Sequence, residues 1–320
     1  MKRIFLKALI TGIAVAACGA SVAQDIKDRT LKLATQNPKG HPTVTGTEKF
    51  AELVKAKSGG KIKVNLFPGG VLGGDQANVS ALQGGTLEMA VMNSGILASQ
   101  VKEFAVFDLP FQFATSKEAD AVVDGPFGKA MHDKLQDKGL IGLAYWELGF
   151  RDLTNGKRPI NKVEDIAGLK IRVIPNPINL DWVKALDANP APMAFPEVYA
   201  ALETRALDGQ ENPVTVILAN KFGEVQKHLA LTHHQYNPQS VLISKKVWDS
   251  FSPTEKKIFA DAAREATSAQ RQVARDATNT ALEQLKKNGM QVTELPAAEM
   301  TKLRDKLRPV IAKYSVAVGQ

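Results

Sequence analysis

Residues 252–259 read Ser252-Pro253-Thr254-Glu255-Lys256-Lys257-Ile258-Phe259, and neither proline nor glycine recurs until Gly289. Ser252 is a helix cap, Pro253 suits the first turn where its missing N–H is not needed, and Glu255 completes a capping box three residues on. The run to Lys287 is rich in Ala, Glu, Lys, Arg and Gln, all good helix formers, and Gly289 supplies the stop. At 1.5 Å per residue this is roughly 50 Å of helix, too long for one lobe. Two helices joined by a bend are the alternative. Read as one element, about 253–288, it braces a two-lobed chain.

The sequence ahead of it alternates strand and helix. Leu31-Lys32-Leu33-Ala34 and Lys61-Ile62-Lys63-Val64-Asn65-Leu66-Phe67 alternate as strands, with Phe50, Leu53 and Val54 at helical spacing across 47–57. A glycine-rich loop at 69–75, a helix to Gln83 and an apolar strand at 87–92 follow, for which parallel topology is expected. Residues 104–113 are an aromatic connector, and Thr115 and Glu118 have capping-box spacing ahead of one helix through about Ala130. A buried strand at 139–146 runs toward Arg151. The alternation restarts at about Glu147 with a strand at 170–174 and a helix at 197–205 led by Pro196, which marks the second lobe. A last amphipathic helix is expected at 297–313.

Composition bounds the function. Met1-Lys2-Arg3-Ile4-Phe5-Leu6-Lys7, an apolar run through Ala17 and Ser21-Val22-Ala23 have the layout of a secretory signal, with the mature chain starting near Gln24. Cys18, in Val15-Ala16-Ala17-Cys18-Gly19, also loosely resembles a lipoprotein processing site. It is the one cysteine of the sequence, so disulfides within the chain are excluded and thiol catalysis is not expected. No later stretch approaches the ~20 apolar residues of a membrane crossing. The formal charge of +8 falls to about +5 without Lys2, Arg3 and Lys7, and the basic residues are dispersed, which suits small anions and no nucleic acid.

In Gly168-Leu169-Lys170-Ile171-Arg172-Val173, Ile171 and Val173 alternate with Lys170 and Arg172, so Arg172 projects from the core toward a cleft or solvent. A guanidinium fork matches the two oxygens of a carboxylate. Arg151 lies upstream, and Leu207-Asp208-Gly209-Gln210-Glu211-Asn212-Pro213 follows; Asn212, extended before proline, offers an amide that donates and accepts. The glycine loop at 69–74 fits neither a phosphate cradle nor a dinucleotide fingerprint and reads as a turn. Asp75 is either a helix cap or an acceptor for a ligand hydroxyl. Phe195 either covers one face of a ligand or is core. His233 and His234, with Tyr236 and Asn237, line a polar pocket or form a surface loop, and neither histidine has zinc spacing. Gly-x-Ser-x-Gly is missing. No catalytic residue, metal site or cofactor is expected.

With these residues placed, the chain resembles the extracytoplasmic solute-binding subunit of tripartite ATP-independent periplasmic (TRAP) transporters of the dicarboxylate and sugar-acid type. The resemblance is carried by Lys55-Ala56-Lys57-Ser58-Gly59-Gly60-Lys61-Ile62, Phe67-Pro68-Gly69-Gly70-Val71-Leu72-Gly73-Gly74-Asp75, residues 168–173, Pro192-Met193-Ala194-Phe195-Pro196-Glu197-Val198-Tyr199 and residues 208–213. It implies an α/β, two-lobed periplasmic binding protein fold with crossing hinge strands and a long bracing helix. Lobe I is expected at 24–147 plus about 238–270, and lobe II at 148–237 plus about 271–320. The resemblance makes Arg172 the partner of the substrate carboxylate, Arg151 the second arginine and Asn212 the cleft asparagine, with Phe195 and Asp75 at common contact positions. Asn93 stands where the sialic-acid branch has a glutamate, which argues against sialic acid. With Gln36 and Asn37 it suits a hydroxylated acid, a hexuronate or aldonate first and a C4-dicarboxylate next. The implied protein is a monomer in the periplasm that closes on its ligand and delivers it to the small and large membrane subunits of a permease. An exported sugar-acid lyase or isomerase and a ligand-sensing subunit are the rival readings.

Overall fold

The computed structural model describes residues 25–318. The expected signal segment and Cys18 lie outside the described residues. Strand β1 (Arg29–Thr35), helix α1 (Pro42–Lys57) and strand β2 (Ile62–Phe67) form the expected β-α-β unit with parallel strands. Helix α1 starts earlier than the apolar spacing predicts, because His41 Nδ1 accepts from the Thr43 N–H at 3.1 Å and Pro42 fits the first turn. Helix α2 (Asp75–Gly84) leads to strand β3 (Met89–Asn93), parallel to β1. After two 3-10 turns, Ser94–Ser99 and Lys102–Asp108, the single helix expected to run to Ala130 is instead two, α3 (Ser116–Val123) and α4 (Pro126–Asp133). Pro126 lacks the N–H needed to continue α3 and holds Gly125 extended at φ −84°, ψ −172°.

Strand β4 (Leu140–Asn155) is followed by β5 (Lys170–Val173), α5 (Pro177–Ala185), β6 (Asn189–Pro192), α6 (Val198–Glu203), β7 (Gly209–Asn212) and α7 (Val214–Ala219). The chain continues through β8 (His228–Ser244), α8 (Lys245–Asp249), α9 (Pro253–Lys287), β9 (Gln291–Glu294) and α10 (Ala297–Val318). The described strands form one sheet in the order β2-β1-β3-β8-β4-β7-β5-β6, with β9 beside β8. Parallel pairing holds within β2-β1-β3 and within β7-β5-β6, and two long antiparallel strands join these sets. Strand β3 pairs with Gln239–Ile243 at one end of β8, whereas β7 pairs with Asp152–Asn155 at the far end of β4. β4 and β8 therefore cross from one half of the sheet to the other. Their register shifts between Glu147 and Gly149 and again between Arg151 and Leu153, bulges that bend the strands at the crossover.

Helix α9 is continuous over 35 residues, without a bend. Ser252 Oγ accepts from the Glu255 N–H at 3.1 Å, and the Glu255 carboxylate accepts in return from the Ser252 N–H at 2.8 Å. Near its start Phe259 packs edge-on against Phe50 of α1, centroids 5.8 Å apart. At its middle Gln270 bridges the Glu147 backbone, accepting from N at 2.9 Å and donating to O at 2.8 Å. Toward its end Ala281 and Leu285 join the apolar cluster of Val214, Ile217 and Phe222. One helix thus holds both halves of the sheet and the crossover between them.

Candidate functional site

Strand β5 ends where the parallel half of its sheet faces the glycine loop between β2 and α2, and a cleft of about 350 Å³ lies between them. It is lined by Arg172, Arg151, Asn212, Phe195, Asp75, Asn93, Gln36 and Asn37, so eight of the twelve residues singled out in the sequence meet there.

Of the two settings that strand alternation allows, cleft or solvent, Arg172 takes the cleft, and it is 2% exposed. The Ala194–Pro196 turn and the opposite loop cover the strand end, turning an outward position into an interior one. Its Nε and Nη2 both donate to the Met193 carbonyl, at 3.0 and 2.8 Å, while Nη1 is buried without a partner. No carboxylate is paired with it. The Phe195 ring lies 5.7 Å from Cζ and backs onto Phe222, so Phe195 is a wall between cleft and core. Burial lowers the pKa of Arg172 to about 10, and the more distant Glu211, Asp75 and Glu197 only partly offset it.

Arg151 is different in kind. Its Nη2 donates to Glu211 Oε1 at 2.9 Å, its Nε makes a very short contact with Oε2, and its Nη1 donates to Asn237 Oδ1 at 2.8 Å. Burial alone would raise the Glu211 pKa, but Arg151 and His234 overrule it and hold it at about 2. The charge of Arg151 is therefore already neutralised within the fold. Glu211 was missed by sequence reasoning; an acid between Gln210 and Asn212, in a polar run within reach of two arginines, was its signal.

Opposite Arg172, Asp75 is the first residue of α2 and does not cap it, since Gly74 holds the N-cap position without a side-chain bond. Its Oδ1 is shielded and unpartnered, as is Gln36 Oε1, although Gln36 Nε2 donates to the Gly73 carbonyl at 3.0 Å. Burial raises the Asp75 pKa to about 7, against the pull of Asn93, Gln36 and Arg172. Asn93 is committed at both ends, accepting from the Gly95 N–H at 3.0 Å and donating to Asn237 Oδ1 at 2.8 Å. Asn212 donates to Gln210 Oε1 at 2.6 Å. Gln239, which sequence reasoning did not single out, also lines the cleft and accepts from Thr43 Oγ1 at 2.7 Å.

Tyr236 and His233 do not belong to the cleft. Tyr236 is buried between Phe113 and Phe150, with centroids 5.8 and 5.0 Å away. His233, at φ 41°, sits on the opposite side of the crossover strands, its Nδ1 2.9 Å from the Asp152 carboxylate, in a second cavity with Phe150 and Arg275. Gln239, on β8, lines the cleft, and the register shift opposite Arg151–Leu153 breaks the alternation between it and His233. Asn237 is buried one layer behind the cleft, where its amide also donates to Asp108 Oδ1 at 3.2 Å. Among the described residues no cluster of His, Cys, Asp and Glu is built to hold a metal ion, and no helix is long and apolar enough to cross a membrane.

Residues 33–316 match the family model described as bacterial extracellular solute-binding protein, family 7 (DctP). The 2,3-diketo-L-gulonate-binding periplasmic protein of Escherichia coli is 35% identical over 287 residues, covering 90% of this chain and 88% of that one. Among solved structures, the sugar acid binding protein of Advenella mimigardefordensis in complex with galactonate is 42% identical with a TM-score of 0.91, covering 92% of this chain and 95% of that chain. A TRAP periplasmic solute binding protein of Ochrobactrum anthropi, with its C-terminus bound in the ligand binding pocket, is 57% identical with a TM-score of 0.81, covering 92% of each chain. The fold is the two-lobed α/β fold of these structures.

Proposed function

The chain belongs to family 7 of the bacterial extracellular solute-binding proteins, the binding subunits of TRAP transporters, and from that premise we propose that its cleft captures a sugar acid bearing one carboxylate, an aldonate or a hexuronate. The observation that carries this reading is the buried Nη1 of Arg172, a donor on an unpaired guanidinium. A ligand carboxylate completes it; the strength of a charge-assisted pair in a site closed to water offsets the cost of burying the cation. At the other end the open groups are acceptors, Asp75 Oδ1 and Gln36 Oε1. They call for hydroxyl donors. A sugar acid supplies a carboxylate at one end and hydroxyls at the other, whereas a C4-dicarboxylate turns a second anion toward Asp75. The galactonate held by the relative from Advenella has the favoured chemistry.

The lobes of this proposal are residues 24–147 with about 238–270, and residues 148–237 with about 271–320. They close by bending at the bulges of β4 and β8. The protein acts as a periplasmic monomer, exported by residues 1–23, and hands its ligand to the small and large membrane subunits of a TRAP permease without altering it.

A thermal-shift and calorimetric screen of the processed protein against aldonates, hexuronates, C4-dicarboxylates and 2-oxo acids tests the reading, because a ligand that binds only the folded form raises its Tm. Stabilisation by aldonates or hexuronates, with the acid recovered unchanged, is the expected result. Stronger binding of succinate or malate selects the dicarboxylate reading, and an acid recovered altered selects the lyase or isomerase.

A further inference from the structure

The loop from Pro68 to Gly74 is pinned to the end of β1 by its own backbone. Gly69 N–H donates to the Asn37 carbonyl at 2.9 Å, Gly70 N–H to the Thr35 carbonyl at 3.0 Å, and Gly73 N–H to the Gly70 carbonyl at 2.9 Å. Gln36 Nε2 adds a bond to the Gly73 carbonyl at 3.0 Å. So tied, the loop moves as part of its own half of the molecule.

Its inner edge rests on residues 194–196 of the other half, with no room for a side chain at Gly70 and little at Gly74. A Cβ on Gly70 would stand 2.9 Å from Pro196 Cγ and 3.0 Å from Gln36 Oε1, and one on Gly74 would stand 3.3 Å from Ala194 Cβ. Contacts below 3.0 Å between carbon atoms are repulsive, so a side chain at Gly70 forces the two halves apart. Residues 194–196 directly follow Met193, whose carbonyl accepts both internal bonds of Arg172. The seam is therefore one peptide away from the group that fixes the guanidinium. Gly70 and Pro196 stand outside the lining of the cleft, whereas Gly74 and Ala194 belong to it.

We propose that Gly70 against Pro196 is a latch that sets how long a captured carboxylate stays in the cleft without touching it. The proposal rests on the capture reading above. Seating of the loop requires bare glycine on one side. Once seated, it prevents the Met193 carbonyl from withdrawing, and Arg172 keeps its carboxylate-binding pose. Apparent affinity scales with the population of the binding-competent form, so a latch that cannot seat weakens binding; relief by a change at Pro196 separates this from pressure on Gln36, which such a change would leave in place.

The test is a double-mutant cycle across the seam. Gly70 has φ +69°, a conformation asparagine tolerates better than most residues, so Gly70→Asn adds bulk with limited backbone strain. Stopped-flow and calorimetry against the best acid from the screen should show Kd about tenfold weaker, the size of effect expected when a tight contact is overpacked, with the change in koff. Pro196→Ala, which removes Cγ, should restore most of it in the double variant. Gly70→Ala is the second arm: it adds Cβ alone, so its loss of affinity should be smaller than that of Gly70→Asn and again relieved by Pro196→Ala, while the ligand-free Tm reports the backbone strain separately. Unchanged affinity in Gly70→Asn, or a loss that Pro196→Ala fails to rescue, overturns the latch. Wild-type protein that binds no acid refutes the capture reading, and the wild-type arm separates that failure from this one.

Discussion

Replacing Arg172 by methionine should have opposite effects on stability and on binding. The side chain is 2% exposed, and its internal partner is the neutral Met193 carbonyl. Burial lowers its pKa to about 10, and at about 1.4 kcal/mol per pKa unit the drop from its ordinary value corresponds to a penalty of about 3 kcal/mol for carrying the charge. For a base with a depressed folded pKa that penalty is complete at neutral pH and relieved only as pH rises through 10. Methionine keeps much of the stem volume and removes the charge, leaving the Met193 carbonyl without its donor at a cost of about 1 kcal/mol. The ligand-free protein should gain about 2 kcal/mol and a few degrees of Tm. Binding moves the other way. A carboxylate that loses its charged partner in a desolvated site forfeits about 3–5 kcal/mol, a weakening on the order of hundred- to thousandfold. Differential scanning calorimetry on the ligand-free variant and titration calorimetry with galactonate measure the two sides. A variant that melts lower and still binds refutes the argument, because it would mean that the guanidinium is compensated within the fold.

Asp75→Asn should favour dicarboxylates over sugar acids by about tenfold, because it removes the anion facing the second carboxylate; parallel titrations with succinate and galactonate measure the ratio. The same change should flatten the pH dependence of Tm between about 4 and 7: the folded pKa of Asp75 is raised to about 7, so its contribution to stability is complete at acid pH and lost as pH rises through 7. Glu211→Gln strands the buried charge of Arg151 and should cost about 3–5 kcal/mol, read from urea unfolding, even though neither residue is offered to a ligand in the way Arg172 is. In the wild type the Glu211 contribution, from a carboxyl held at about 2, is present above its ordinary pKa and lost as pH falls through 2. Gly46→Ala should cost about 1–3 kcal/mol, because its Cβ would meet Gln270 Cγ at 2.6 Å and Trp146 Cζ3 at 2.9 Å where α1 crosses α9; chemical denaturation checks it.

The elements that sequence reasoning placed well are those whose signals are local. The cap, first-turn proline and terminal glycine of α9 each act within a few residues, and the helix runs from Pro253 to Lys287, beside Gly289 in the left-handed conformation. The break at Pro126 was local too, but a capping box at Thr115 gives a start and no length. The site was legible in part. Alternation sets Arg172 off the core and it does face the cleft; what alternation does not report is the cover over the strand end, which comes from loops distant in sequence. His233 and Tyr236 read together as a polar pocket or a surface loop, but Tyr236 is core between Phe113 and Phe150 and His233 lines a second cavity, because a register shift in β8 intervenes. Arg151 was legible as a cleft residue but not as a neutralised one, since its partner Glu211 reaches it through the pairing of β4 with β7.

That last distinction decides how many anions the cleft accepts. By count alone, two buried arginines would suit a dianion. In the folded protein the Arg151 charge is matched by Glu211, which stays ionised at any physiological pH, so the pair adds shape and hydrogen bonds but no net field. Arg172 is the cleft arginine without an ion-pair partner, and it shares the cleft with Glu197 and with Asp75, whose pKa of about 7 leaves it partly protonated at neutrality. The electrostatics thus ask for one carboxylate and, away from it, groups that donate hydrogen bonds. A second carboxylate becomes tolerable only as Asp75 takes up a proton, so dicarboxylate affinity should strengthen below pH 7 while sugar-acid affinity does not. Titrations of succinate and galactonate at pH 5.5 and 8 check this; equal pH responses would remove Asp75 from any part in selecting the ligand.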